Sequence, residues 1–214
     1  MTEYRSPFPR PLLMSIYEGI TQYRYRGVQC WKGPFDLAIM QRLIWDLKPR
    51  TIIEIGSHAG GSALWFGDQL RAYGIDGMVH SIDINPVNHP CPAQTNVKFY
   101  QGNAKTFDGP FPVSWIEQQP RPILVNEDSD HSAETSLAVL RWFDQWSRVG
   151  EYIVVEDGNT NEIHPGNQAT GGPLAAIKTF IDEQGGRYII DRGYCNMFGE
   201  GVTFYPDGYI RRAR

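Results

Sequence analysis

A short β-branched run, Thr51-Ile-Ile-Glu-Ile55, leads into the glycine-rich stretch Gly56-Ser-His-Ala-Gly-Gly-Ser62 and then a helical pattern over residues 63–73. Strand, glycine turn and helix in that order open a nucleotide-type α/β fold. The turn is not G-x-G-x-x-G, and a tight strand-to-helix turn needs glycine whatever it binds. Its context is more specific. Asp83 falls in the next strand, residues 78–84, where a carboxylate can accept both hydroxyls of a ribose. Glu54, inside the first strand, suits the cationic methionine end of S-adenosylmethionine and would repel the pyrophosphate of a dinucleotide. Gly102-Asn103-Ala104, after a third strand over 97–101, leaves room for adenine. The expected cofactor is S-adenosyl-L-methionine rather than NAD, held by Glu54, Gly56, Ser57, Gly60, Gly61, Ser62, Asp83, Gly102, Asn103 and, from a later strand end, Asp128. A second role for Glu54 stays open, a carboxylate satisfied by neighbouring backbone N–H groups.

The alternation of apolar runs and helical patterns continues along the chain. Residues 35–47 carry Leu37, Met40, Leu43, Ile44 and Leu47 at helical spacing, and Pro49 stops them. Residues 122–125 and 151–155 read as a fourth and fifth strand around a helix over 133–146. A polar loop follows at 158–172, then a helix over 173–183 and two last strands, 188–191 and 202–205. This is an α/β chain with a parallel sheet, helices on both faces and a C-terminal antiparallel hairpin. Residues 1–34 are expected to form an arm or lid and 35–214 a single catalytic domain. The arm would pack on a second subunit or close over the substrate.

Charge and cysteine content exclude several classes. A net charge of −4 without a Lys/Arg run argues against binding the phosphate backbone of nucleic acid. Arg211, Arg212 and Arg214 read as a solvated tail. Cys30, Cys91 and Cys195 form no CxxC pair, which points away from disulfides and thiolate zinc and toward a reducing cytoplasm. No apolar stretch is long enough for a membrane span.

The ends of the fourth and fifth strands carry Asp128-Ser-Asp130-His131 and Glu156-Asp157. Adjacent parallel strands bring such ends together, and carboxylates so placed repel one another unless a hard divalent cation such as Mg²⁺ neutralises them. Beside a methyl donor, such an ion activates a hydroxyl for O-methylation. His131 is then the first candidate base and His164, in the polar loop, the second. His58, His80 and His89 have no such setting. Trp31 is a candidate wall for cofactor or acceptor.

These motifs, with WKGPFDLAIMQRLIWDLKPRTIIEIGSHAGGS, GEYIVVEDGN and GGPLAAIKTFI, resemble the cephalosporin hydroxylase-like branch of class I S-adenosylmethionine-dependent O-methyltransferases over about residues 27–207. The resemblance implies a Rossmann-like seven-stranded sheet, Mg²⁺ held at Asp130, Glu156 and Asp157, and a homodimer. It also implies a small hydroxylated acceptor, a sugar or glycoside including rhamnosyl groups, or else a polyketide or antibiotic hydroxyl. The similar catechol O-methyltransferase group uses a lysine three residues after the first metal aspartate. Counted from Asp130 that position is Ala133, which turns attention to His131. Two further readings stay open: an iron-dependent hydroxylase built on His131, His164 and a carboxylate, and a binding protein that keeps the cofactor pocket without catalysis.

Overall fold

The computed structural model describes residues 6–87, 95–106, 113–164 and 171–214. Cys91 and His89 lie outside them. Seven strands form one sheet in the order β5-β4-β3-β6-β7-β9-β8. They are β3 (Thr51–Ile55), β4 (Met78–Asp83), β5 (Val97–Gln101), β6 (Ile123–Glu127), β7 (Tyr152–Val155), β8 (Tyr188–Ile190) and β9 (Tyr209–Arg212). The first five are parallel, and β9 runs antiparallel between β7 and β8. A separate short ribbon, β1 (Arg24–Tyr25) with β2 (Val28–Gln29), precedes the sheet.

Period-two alternation along the strands divides the core. Ile52, Val79, Leu124 and Val154 face one side, with α1 (Arg10–Gln22), α2 (Pro34–Leu47) and α3 (Gly61–Ala72). Ile53, Ile55, Val125 and Ile153 face the other, with α5 (Ala133–Asp144) and α7 (Gly172–Gln184). Shorter helices are α4 (Val113–Glu117), α6 (Thr160–Ile163) and α8 (Arg192–Cys195). The strand order reverses between β3 and β6, so the ligand crevice of such a sheet lies at their carboxyl ends. Among the described residues, no helix is long and apolar enough to cross a membrane.

Three expectations are corrected. Residues 202–205 are not a strand: Thr203 Oγ1 and the Phe204 N–H both donate to the buried Asp36, which pulls this run under α2, and β9 supplies the pairing instead. The arginine-rich C-terminus is not a free tail, since Arg212 bonds Asp144 Oδ1 at 2.7 Å and the Tyr188 hydroxyl at 3.1 Å. The 158–172 segment contains α6, whose Glu162 carboxylate accepts from the Ser6 N–H at 2.9 Å and whose backbone carbonyl at Glu162 accepts from Arg10. That contact lays the N-terminal arm on its own chain.

Candidate active site

Parallel pairing in level register decides what meets at the crevice. Ile55 pairs with Ile82 and with Glu127, and Glu127 pairs with Val155. The residues that follow, Gly56, Asp83, Asp128 and Glu156, therefore stand side by side. Gly56 has φ +101°, and a Cβ there would sit 1.9 Å from the Asp128 carbonyl oxygen. At Gly61 a Cβ would sit 2.1 Å from the Gln29 carbonyl. These glycines answer first to the chain's own close packing.

Around the turn, Glu54 is fully buried. The Ser81 hydroxyl donates to its Oε2, Ser57 and Ser81 hydroxyls lie 2.6 Å apart, and Ser62 is a further neighbour. A hydroxyl rather than a backbone N–H thus bonds Oε2 of this carboxylate, and its Oε1 has no hydrogen-bond partner among the described residues. Burial raises its pKa to about 7 against the pull of Lys32. Asp83 accepts from the His58 N–H and the Asn85 N–H, each at 2.8 Å. The Gly102 N–H donates to the Asp83 carbonyl at 2.9 Å, and Asn103 Oδ1 accepts from the Lys105 N–H at 2.9 Å. An orphaned buried acceptor at Glu54 and a partly exposed carboxylate at Asp83, one strand apart, fit a ligand with a cationic end and a diol.

Asp128, His131 and Asp157 offer ligand atoms that all lie within 4.8 Å of one another. His131 Nε2 is 3.4 Å from Asp157 Oδ2. His131 and Asp157 both adopt φ of +55°, a left-handed backbone that is uncommon for these residues and that turns both side chains onto one spot. Burial would lower the His131 pKa, but Asp157, Asp128, Glu127 and Glu156 outweigh it and hold the imidazole above its ordinary value. Burial raises the Asp128, Glu156 and Asp157 carboxyls. The trio is rich in carboxylate oxygen and suits a hard divalent ion.

This grouping differs from the ligand set expected from the sequence, Asp130, Glu156 and Asp157. Asp130 lines the same cleft as His131 and Asp157, but its carboxylate is engaged at the start of α5: its Oδ1 accepts from the Ser132 N–H at 3.0 Å and its Oδ2 from the Thr135 hydroxyl at 2.8 Å. Those bonds hold its pKa low despite partial burial. Glu156 is buried, with Oε1 accepting from Asn126 at 2.7 Å and Oε2 from Lys32 Nζ at 2.6 Å. Asp128, grouped with the cofactor contacts by sequence, stands instead at the centre of the carboxylates. Counting three residues on from Asp128 reaches His131, where counting from Asp130 had reached Ala133.

The cleft, of about 480 Å³, opens over His131 and Asp157, and Tyr17, Trp31, Asp130 and His164 are also among its lining residues. His164 Nε2 lies 3.0 Å from the Tyr17 hydroxyl, and the Trp31 ring packs 4.5 Å from His58. Sequence inspection missed Tyr17 and Lys32. Tyr17 is part of the amphipathic pattern of α1, and its polar end is indistinguishable there from a surface hydroxyl. Lys32 shows no charge pattern because its partners are 96 and 124 residues away.

The family described as rhamnosyl O-methyltransferase/CmcI matches residues 18–213. A rhamnosyl O-methyltransferase of Mycobacterium tuberculosis (strain ATCC 25618 / H37Rv) is 30% identical over 196 residues, spanning 90% of this chain and 79% of the relative. That of Mycobacterium leprae (strain TN) is 31% identical over 191 residues, spanning 88% and 82%. A solved structure of CmcI with SAH superposes with a TM-score of 0.70 at 22% identity, over 100% of this chain and 96% of that one. A CmcI structure with Mg and SAM gives 0.68 at 24%, over 91% and 78%. At this identity the likeness concerns the fold.

Proposed function

The chain belongs to the rhamnosyl O-methyltransferase/CmcI family, and from that premise we propose that it transfers a methyl group from S-adenosylmethionine to a sugar hydroxyl, with a divalent ion such as Mg²⁺. The observation that carries this reading is the convergence of Asp128, His131 and Asp157, with His131 and Asp157 lining the cleft and Asp128 against the Gly56 turn. S-adenosylmethionine would lie along Glu54, Gly56, Ser57 and Asp83, with Gly60, Gly61, Ser62, Gly102 and Asn103 around it. When bound, the cofactor supplies a sulfonium methyl and the ion a Lewis acid for the acceptor oxygen. Asp128 and Asp157 would hold the ion, with Glu156 beside them.

The residues of the chain do the remaining work. His131 Nε2 accepts the proton of the acceptor hydroxyl, and Asp157 stabilises the imidazolium that results. Glu54 meets the cationic end of the cofactor with its unpaired Oε1. Helix α1 roofs the cleft through Tyr17 and Ile20, and so limits water around the reacting groups. Trp31, about half exposed, offers a flat apolar wall for a sugar ring. In this reading the arm expected over residues 1–34 serves as the lid of this cleft through its described residues Tyr17, Ile20, Thr21, Trp31 and Gly33. Buried free thiols at Cys30 and Cys195 support a reducing, cytoplasmic setting. A homodimer belongs to the same reading, carried by the resemblance, and light scattering tests it.

The direct test is transfer of label from the methyl donor to rhamnosides and other glycosides. Transfer that stops with EDTA and returns with Mg²⁺ is the expected result. Cofactor binding without transfer to any glycoside would replace this reading with a non-catalytic binding protein.

A further inference from the structure

Lys32 is 6% exposed, although lysine is rarely buried without a partner. Its Nζ donates to Asp128 Oδ2 and, at 2.6 Å, to Glu156 Oε2. Glu54 lies close enough to act on the same charge. The backbone that carries Lys32 has little freedom. The Cys30 N–H donates to the Tyr23 carbonyl at 3.1 Å, the Lys32 N–H to the Cys30 carbonyl at 2.8 Å, and the Gln29 carbonyl rests against Gly61 at the start of α3. The next helix begins at once, with Leu37 N–H bonded to the Gly33 carbonyl at 2.9 Å. Lys32 is therefore delivered to the carboxylates by a clamped segment.

The charges explain why it is there. Glu54, Asp128, Glu156 and Asp157 converge at strand ends where burial penalises every ionised carboxylate. Without a counter-charge they would protonate or splay apart. We propose that Lys32 is the resident counter-cation of this nest: by holding Oδ2 of Asp128 and Oε2 of Glu156 it positions both side chains before a divalent ion binds. The nest then folds without the ion, and the ion meets oxygens already aimed at it. The ammonium takes up one oxygen of each partner, while Asp157 lines the cleft. This inference rests on the proposed divalent ion, and the experiment separates the two.

Thermal unfolding is followed in EDTA and in saturating Mg²⁺ for the parent chain, Lys32→Met, Glu156→Gln and the double variant. The parent Tm is expected to shift by a few degrees between the two buffers. Lys32→Met loses about 10 °C in EDTA and regains at least half of it in Mg²⁺, because the ion replaces the missing charge. The double variant in EDTA loses less than the sum of the single variants, because one of the two carboxylates that Lys32→Met leaves unpaired is gone. If Lys32→Met folds only in Mg²⁺, unfolding on addition of EDTA carries the same meaning. An equal loss in both buffers where calorimetry shows the ion to bind, a double variant whose loss is the sum of the single ones, or a Lys32→Met chain that neither bound Mg²⁺ nor Glu156→Gln recovers would overturn the proposal. Calorimetry of Mg²⁺ and Mn²⁺ on the parent chain reports on the ion separately: no binding, with rescue in the double variant intact, sinks the metal and keeps the counter-cation.

Discussion

His131 Nε2 lies 3.4 Å from Asp157 Oδ2, with each side chain about one-third exposed to the cleft. The two come from loops after different strands, and each adopts a left-handed backbone to make the approach. The surrounding carboxylates raise the His131 pKa over the opposing effect of burial. In EDTA, the imidazole is expected to titrate above its usual value near 6.5 by NMR, and Asp157→Asn should move it down. His131→Gln should lower kcat by about 10²–10⁴ with cofactor affinity unchanged. A titration indifferent to Asp157 would dissociate the pair.

Asp128 and Asp130 separate what the strand register does from what the motif alone indicates. Asp128→Asn should cost at least about 10² in kcat and abolish the response to Mg²⁺. Asp130→Ala removes two hydrogen bonds at the start of α5 and should cost about 1–3 kcal/mol of stability, with kcat within several-fold. Inactivation by Asp130→Ala at unchanged Tm would return Asp130 to the metal set.

Asp36 offers a pH test away from the cleft opening. Burial lifts its pKa to about 8, against the hydrogen bonds from Thr203 and Phe204. The folded value lies above the unfolded one, so its contribution to stability is fully present below about pH 4 and is lost as pH rises through about 8. Over that window the slope approaches about 1.4 kcal/mol per pH unit. Urea unfolding across pH 4–8 should show Asp36→Asn with a flatter profile than the parent chain. Parallel profiles would mean that Asp36 is ionised in the folded protein.

Much was legible in the sequence because it depends on neighbours along the chain. The apolar alternation of β3 to β7, the helical spacing of α2 and α5 and the glycine turn at Gly56 are local, and periodicity exposes them. The chemical type of the site, carboxylates and a histidine at strand ends next to a cofactor turn, follows from the same motifs and from the order of parallel strands.

Contacts between distant segments decided the rest. Register made Asp128 the carboxylate beside Glu156, and the hydrogen bonds of Asp130 to the start of α5 took the second aspartate away from it. Residues 202–205 look like a strand by composition, but Asp36 draws them beneath α2, and β9 fills the sheet. The buried ammonium of Lys32 lies among carboxylates about a hundred residues away in sequence. Composition and periodicity determine which residues are inside and on which element they lie. Which charges face one another depends on register and on backbone angles at a few positions, and those exist only once the sheet has formed.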